Sequence, residues 1–446
     1  MKLFNTLAQQ KEEFSPIDGN KVGFYACGPT VYDVAHIGNF RTYLFEDILK
    51  RALIANHYEV KHVMNVTDVD DKTILKGERK SDKFKEVVKK YEELFFADLK
   101  KLNISKPDVV TKPTEYVEKM VLFIEDLMER GFAYEAKDNS IYFSIDKFKD
   151  YGKLSRLDKS GIKIGARVEK DEYNKENPAD FALWKAWDED DGEIFWETSL
   201  GKGRPGWHIE CSTMANDVLG ETIDIHAGAV DLIFPHHENE IAQSEAKNGK
   251  PFVKYWIHGE HLLVDGKKMS KSLGNLYSLG DLEKKGFSPM DLRYLVFGTQ
   301  YRSKLNFTWE GLTSAKNARE RLSRFILENK SNEGQILDKY LDAFMSKVND
   351  DLDTSAALAV LWEMIRDENA KAGDKSKTFF EMNKIIGLVF QETKSAPKEV
   401  AILAEERKKA REDKDFQKSD EIRNQIEDLG WVIEDLPENR YELKEY

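Results

Sequence analysis

The order of apolar runs near the N-terminus most constrains how this chain can fold. Val22 to Ala26 is an apolar, aromatic run of strand length, and the turn Gly28-Pro29-Thr30 follows it. Apolar residues at Phe40, Leu44, Ile48 and Leu49 then predict an amphipathic helix. A second run, Val60 to Val66, predicts another strand. Strand, loop, helix and strand in that order imply a parallel sheet. The expected fold is therefore α/β, a Rossmann-type doubly wound sheet whose ligands sit beyond the carboxyl ends of its strands.

Residues 106–205 break the alternation, with a helix expected over Tyr116 to Met128 and a hairpin over Tyr134 to Phe143 turning at Asp138-Asn139. We read them as an insertion between two halves of one catalytic domain, 1–105 and 206–260. Ile223 to Ala227 is the expected returning strand, with Gly228 to Asp231 at its carboxyl end. Residues 261–310 carry a lysine-bearing loop. From 311 to 396, apolar spacing at Ala315, Ala318, Leu322, Phe325 and Ile326, then at Leu337, Leu341, Phe344, Met345 and Val348, predicts a helical bundle. Thr354 or Ser355 is placed to cap one of its helices. Pro397, after Thr393 to Ala396, opens a small C-terminal module, 397–446. A length of 446 residues accommodates this many parts.

Met1 to Phe14 holds Lys2, Lys11, Glu12 and Glu13 without a signal-like apolar run, and no segment reaches the ~18 apolar residues of a membrane span. A cytoplasmic protein with no membrane partner is expected. The formal charge of -13 opposes indiscriminate phosphate binding, so a nucleic-acid partner must meet a local basic face. Arg302, Lys304, Lys316, Arg319, Arg321 and Arg324 against Glu310 and Glu320 make such a stretch. In the last module, Arg407 to Lys409, Arg423 and an exposed Trp431 are placed to pair and stack with unstacked bases. Only Cys27 and Cys211 are present, which excludes a disulfide scaffold and leaves buried hydrophobes, metal ligands or one reactive thiol.

Two segments carry chemistry. Cys27 to Asn39 joins the first strand to its helix, where backbone N–H groups and the helix dipole favour phosphate. His36 there is a candidate donor to a phosphoryl oxygen, and Gly38 leaves room for a nucleotide against the backbone. Lys268-Met269-Ser270-Lys271-Ser272 sets two lysines on a short polar loop, where they can neutralise charge on a leaving pyrophosphate. His236 and Glu240 at i, i+4 share a helical face and offer N and O ligands that two thiolates would complete, although spacing alone equally allows two unrelated buried cysteines. Gly201 to Gly206 fits a GxGxxG string, but Pro205 and the lack of a suitable following helix oppose a dinucleotide site. His237-Glu238 starts an HExxH string that Ile241 breaks, which excludes a metalloprotease.

The ordered pair of segments resembles the HIGH and KMSKS motifs of class I aminoacyl-tRNA synthetases, with Asn39 where the first motif usually ends in His. Cys27 to Asp33, Asn65 to Lys72, Gly206 to Ser212 and Phe234 to Glu240 are similar to cysteinyl-tRNA synthetases, and the similarity runs over nearly the whole chain. The resemblance implies a monomeric ligase that activates L-cysteine with ATP and passes the cysteinyl group to tRNA(Cys). It implies Mg2+ with ATP and one Zn2+ held by Cys27, Cys211, His236 and Glu240, with His226 behind the ligands. It assigns His36, Asn39, Lys268 and Lys271 to catalysis. Gly28, Pro29, Thr30, Gly38, Thr42, Asn65, Thr67, Trp207, Asp231 and Lys271 would line the ATP and adenylate pocket. Residues 227–230 read Ala-Gly-Ala-Val where that family has more glycine. A ligase joining cysteine to an amino sugar shares these motifs but lacks the region after Pro397. A non-catalytic synthetase derivative is opposed by the intact His36, Lys268, Lys271 and metal candidates.

Overall fold

The structure is a computed structural model that describes residues 1–157, 179–330, 334–390, 397–436 and 440–445. The boundary segment Thr393 to Ala396 and part of the expected insertion, 158–178, lie outside these residues. The chain divides into two compact units, 1–388 and 389–446.

The first unit is built on five parallel strands: β1 (Lys21–Ala26), β2 (Glu59–Asn65), β3 (Val109–Thr111), β4 (Ile223–Ala229) and β5 (Val253–Gly259). Their spatial order is β5-β4-β1-β2-β3. Val22, Phe24, Tyr25 and Ala26 are all buried, as expected of a strand covered on both faces. The chain moves outward from β1 through β2 to β3, then returns to the other side of β1 as β4. Loops leaving β1 and β4 therefore diverge and open a crevice at their carboxyl ends. Helix α1 (Ile37–Ala55) follows β1, α2 (Trp207–Leu219) precedes β4 and α3 (Glu238–Asn248) links β4 to β5.

Between β3 and β4 lies an antiparallel sheet of strands Ala133–Glu135, Ile141–Phe143, Phe181–Ala186, Gly201–Pro205 and Trp196–Thr198, paired in that order. The expected hairpin is present, with Asn139 at φ +63° in its turn. The GxGxxG reading needs one correction, because a helix, α2, does follow Gly206. The glycines serve packing instead: a Cβ on Gly203 would lie 2.2 Å from the Lys185 carbonyl, and one on Gly206 2.1 Å from that of Ala182.

Beyond β5, Leu262–Val264 pairs antiparallel with Lys267–Lys268 and parallel with Leu305–Phe307. Helices Trp309–Glu328, Asp338–Val348, Thr354–Arg366 and Ala372–Ile386 follow, burying Leu322, Ile326, Phe344, Leu361 and Phe379. Asp353, and neither Thr354 nor Ser355, caps the third of them, its Oδ1 accepting from Ala356 N at 3.1 Å.

The second unit has helices Lys398–Glu412 and Phe416–Asp428 and a hairpin of Trp431–Leu436 with Arg440–Glu445. Here two expectations are overturned. Trp431 is 6% exposed and packs with Val400, Ile422, Ile426 and Ile433, so it is core and unavailable for stacking. Arg407 is buried too, its guanidinium bound to both Asp435 oxygens at 2.7 and 3.0 Å. Among the described residues no helix is long and apolar enough to cross a membrane.

Candidate active site and metal centre

The crevice begins where β1 ends. Gly28 N donates to Asn65 Oδ1 at 2.9 Å, and Asn65 Nδ2 donates to Thr67 Oγ1 at 3.0 Å. Thr67 N donates back to the Pro29 carbonyl at 2.9 Å. The loops after β1 and β2 are thus tied together, and only glycine fits at 28, since a Cβ there would lie 1.7 Å from the Asn65 carbonyl oxygen. His36 caps α1: Asn39 N donates to His36 Nδ1 at 3.2 Å, and His36 N donates to Asn39 Oδ1 at 3.1 Å. Burial holds the His36 pKa below its ordinary value, against the opposing charge of Asp231. Asp231 is exposed just past β4, Thr42 is half-buried in α1, and Gly228 approaches His237 so closely that a Cβ would lie 3.0 Å from its ring.

The lysine loop comes against this turn. A Cβ on Gly38 would sit 3.0 Å from both His36 Nδ1 and the Met269 sulfur. Lys271 Nζ donates to Asp33 Oδ2 at 2.7 Å, a bond that raises the amine above its ordinary pKa, although the side chain is 68% exposed. Asn275 shapes the loop, accepting from Ser270 N at 2.9 Å and donating to the Lys268 carbonyl at 3.2 Å. Lys268 is exposed at the end of its strand.

Cys27, Cys211, His236 and Glu240 meet beneath the crevice, all buried, with candidate ligand atoms within 4.8 Å of one another. Cys27 follows β1, Cys211 comes from α2, and His236 and Glu240 flank the start of α3. Cys27 and Glu240 also form a second such group with His226 and His237. Within that group Cys27 Sγ contacts His237 Nε2 at 3.5 Å. His226 Nε2 contacts Glu240 Oε2 at 2.9 Å, while His237 Nδ1 contacts His258 Nε2 at 2.8 Å and His258 Nδ1 contacts Thr6 Oγ1 at 2.7 Å. In the first group, Glu240 Oε1 is buried without a hydrogen-bond partner, yet His236 Nε2 lies 3.1 Å from it. A buried carboxylate oxygen without a hydrogen-bond partner, beside an imidazole nitrogen and two sulfurs, fits a shared cation.

Electrostatics agree with that fit. Burial pushes the Cys27 thiol and the Glu240 carboxyl up and the His236 and His237 imidazoles down. The protein alone thus favours neutral groups, and a divalent cation would supply the charge that a thiolate and a carboxylate need. Trp207 stacks on the His236 ring, centroids 4.1 Å apart, and His208 Nδ1 contacts His236 Nδ1 at 2.9 Å.

The family model for "tRNA synthetases class I (C) catalytic domain" matches residues 13–317. A protein of Chlamydia felis named cysteine–tRNA ligase is 48% identical over 456 residues, covering 97% of this chain and 95% of that relative. The chain belongs to the cysteine class of class I tRNA synthetases. The relative of the same name from Chlamydia muridarum is 46% identical, with 97% of each chain covered. Among solved structures, methionyl-tRNA synthetase of Mycobacterium tuberculosis with methionyl-adenylate has a TM-score of 0.58 at 14% identity, covering 82% of this synthetase and 90% of that chain. A LeuRS–tRNA–LeuAMS complex of Agrobacterium radiobacter has a TM-score of 0.60 at 10% identity, with 84% of each covered. These two likenesses show the shared fold.

Sequence reasoning gave no place to His208 and His258. With His226, His236 and His237 they gather five of the synthetase's nine histidines in one cluster, four of them buried and His208 half-buried, and that concentration on both sides of Cys211 was the available signal. The basic stretch from Arg302 to Arg324 is weaker than its sequence suggests. Arg302 is bound to Asp351 at 2.6 Å and Arg319 to Asp291 at 2.6 Å, so both charges are spent internally.

Proposed function

We propose that this synthetase ligates L-cysteine to tRNA(Cys) in two steps and that Cys27, Cys211, His236 and Glu240 hold a Zn2+ ion that recognises the substrate sulfur. The observation that carries this reading is the buried set of two sulfurs, one nitrogen and one oxygen at the crevice between β1 and β4. When bound, zinc prefers a soft thiolate to a hydroxyl and so provides the filter against serine, a near-isostere that shape alone discriminates poorly.

In the first step the cysteine carboxylate attacks the α-phosphate of Mg-ATP and pyrophosphate leaves. His36 donates to a phosphoryl oxygen from the head of α1, while Lys268 and Lys271 follow the charge that builds on the leaving group. For Lys271 this means exchanging Asp33 for phosphate. Gly28, Pro29, Thr30, Gly38, Thr42, Asn65, Thr67 and Asp231 cradle the nucleotide, and Trp207, stacked on His236, walls the amino-acid side. Asn39 acts through its hold on His36 as well as toward adenine. In the second step the terminal ribose hydroxyl of tRNA attacks the adenylate carbonyl, and AMP leaves. The 389–446 unit reads tRNA, and the enzyme works as a cytoplasmic monomer.

ATP–pyrophosphate exchange, run with each of the twenty amino acids, tests the reading. Exchange should depend on cysteine and on retained zinc. Equal exchange with serine would overturn the proposed role of the metal group.

A further inference from the structure

Helix α1 turns two residues toward the seam between the parallel sheet and the lysine-loop strands. Arg41 and Phe45 stand about one helical turn apart and so face the same way. Arg41, only 2% exposed, donates through Nε to the Glu260 carbonyl at 2.9 Å. Its Nη2 donates to the carbonyls of Gln300 and Tyr301, both at 3.4 Å, and to that of Ser303. Phe45 stacks on Tyr301 with ring centroids 5.3 Å apart, and a Cβ on Gly259 would lie 2.5 Å from the Phe45 ring. Among the described residues Arg41 makes no ion pair. A guanidinium buried on carbonyls, with Nη1 unpaired and only the charge of Glu260 acting to offset its burial, carries a desolvation cost that a leucine would not, so filling the seam does not explain the residue.

The carbonyls it holds are the entry points of two strands. Glu260 leads into Leu262–Val264 and Ser303 into Leu305–Phe307, which pair in parallel with Leu262 opposite Leu305. The other edge of Leu262–Val264 carries Lys267–Lys268, from which the loop to Lys271 projects. The far side of 300–303 is pinned by Asp351. Its Oδ1 accepts from the Tyr301 hydroxyl at 2.7 Å and Phe4 N at 2.8 Å, and its Oδ2 accepts from Arg302 Nε at 2.8 Å.

We infer that Arg41 is a positioning residue that registers the His36 turn of α1 against the base of the Lys268–Lys271 loop. The two halves of the phosphate site, one on α1 and one on the loop, then meet at a fixed separation. The inference rests on the reading that Lys271 acts in adenylate formation.

A double-mutant cycle of Arg41→Lys with Lys271→Ala, followed by cysteine-dependent ATP–pyrophosphate exchange, tests it. Lysine keeps the charge but cannot span the separate carbonyls. Arg41→Lys alone should lower the exchange kcat about tenfold with the cysteine KM changed by less than about twofold, since small misplacements of reacting groups are costly. In the Lys271→Ala background the same change should cost less than about twofold, because coupled residues do not add. Equal fold losses in both backgrounds, with Lys271→Ala itself costly, would refute the register role and leave the loop reading intact. A harmless Lys271→Ala would instead sink the loop reading and the register role with it. Should circular dichroism show Arg41→Lys unfolded, Asp351→Asn, which loosens the same segment from its far side, takes its place in the cycle, with a loss of about threefold expected and the same criterion of non-additivity.

Discussion

The metal group and the lysine loop face one crevice and are built in opposite ways. Cys27, Cys211, His236 and Glu240 are each less than a tenth exposed, come from the sheet and its helices, and sit among rings that stack on one another. Lys268 and Lys271 stand in water, and the strongest hold on Lys271 is a surface ion pair with Asp33. A recognition group gains from rigidity, because its selectivity depends on fixed ligand positions. A group that must follow charge onto a departing pyrophosphate gains from freedom to exchange partners. On the proposed reading the buried region selects and the exposed one sets the rate, and substitutions in each should show it.

The largest effect is expected on the buried side. Cys211→Ser, nearly isosteric, should lower bound zinc from roughly one ion per chain to near none, with a loss of cysteine-dependent exchange of about 1000-fold or more. Metal analysis beside exchange kinetics decides the matter, and full zinc content in the variant would remove Cys211 from the ligand set. Next, Lys271→Ala should cut adenylate formation about 100-fold, roughly 2.7 kcal/mol, with cysteine KM little changed. A rise in cysteine KM instead would mean that the loop takes part in selection, and the contrast would dissolve.

A smaller effect concerns the buried sheet itself. His62 on β2 is 3% exposed, stacks on Phe24 at 4.6 Å and has no hydrogen-bond partner for either ring nitrogen among the described residues. Burial pushes its pKa down to about 3, against about 6.5 in an unfolded chain. Between those values the unfolded state binds a proton that the folded state does not. His62 therefore leaves stability intact above pH ~6.5 and subtracts up to ~1.4 kcal/mol per unit as pH falls toward ~3. Urea unfolding at pH 7 and pH 5 should show the wild type losing ~2 kcal/mol more than His62→Phe. Matching losses would mean that the interior under the crevice admits water. Smallest is Asp33→Asn. It frees Lys271 from a surface pair worth at most ~1 kcal/mol, so the KM for ATP should fall by up to about fivefold while the melting temperature holds. An unchanged KM would show that Asp33 does not compete with phosphate.

Sequence reasoning reached the sheet because parallel strands leave continuous apolar runs, as in Val22 to Ala26, and short-range periodicity is what a sequence displays best. It joined Cys27, Cys211, His236 and Glu240 into one group only through family resemblance. Cys27 and Cys211 are brought together by β1 and α2, elements separated by an inserted sheet, and no local spacing encodes that meeting. Asp353, Thr354 and Ser355 are all capping residue types, and which one caps depends on where the backbone turns. Trp431 was misplaced because a lone tryptophan does not announce its side, whereas Ile422, Ile426 and Ile433 around it do. Arg302 and Arg319 were counted as available charge because their carboxylate partners, Asp351 and Asp291, are distant in sequence.

The cap at the head of α1 has a consequence for where a proton resides. Because Asn39 N–H points at His36 Nδ1, that nitrogen must offer its lone pair, and the neutral ring carries its hydrogen on Nε2. Burial keeps the second proton off. The helix thus selects one tautomer before any substrate arrives, and His36 presents an uncharged N–H donor whose direction is set by main-chain geometry.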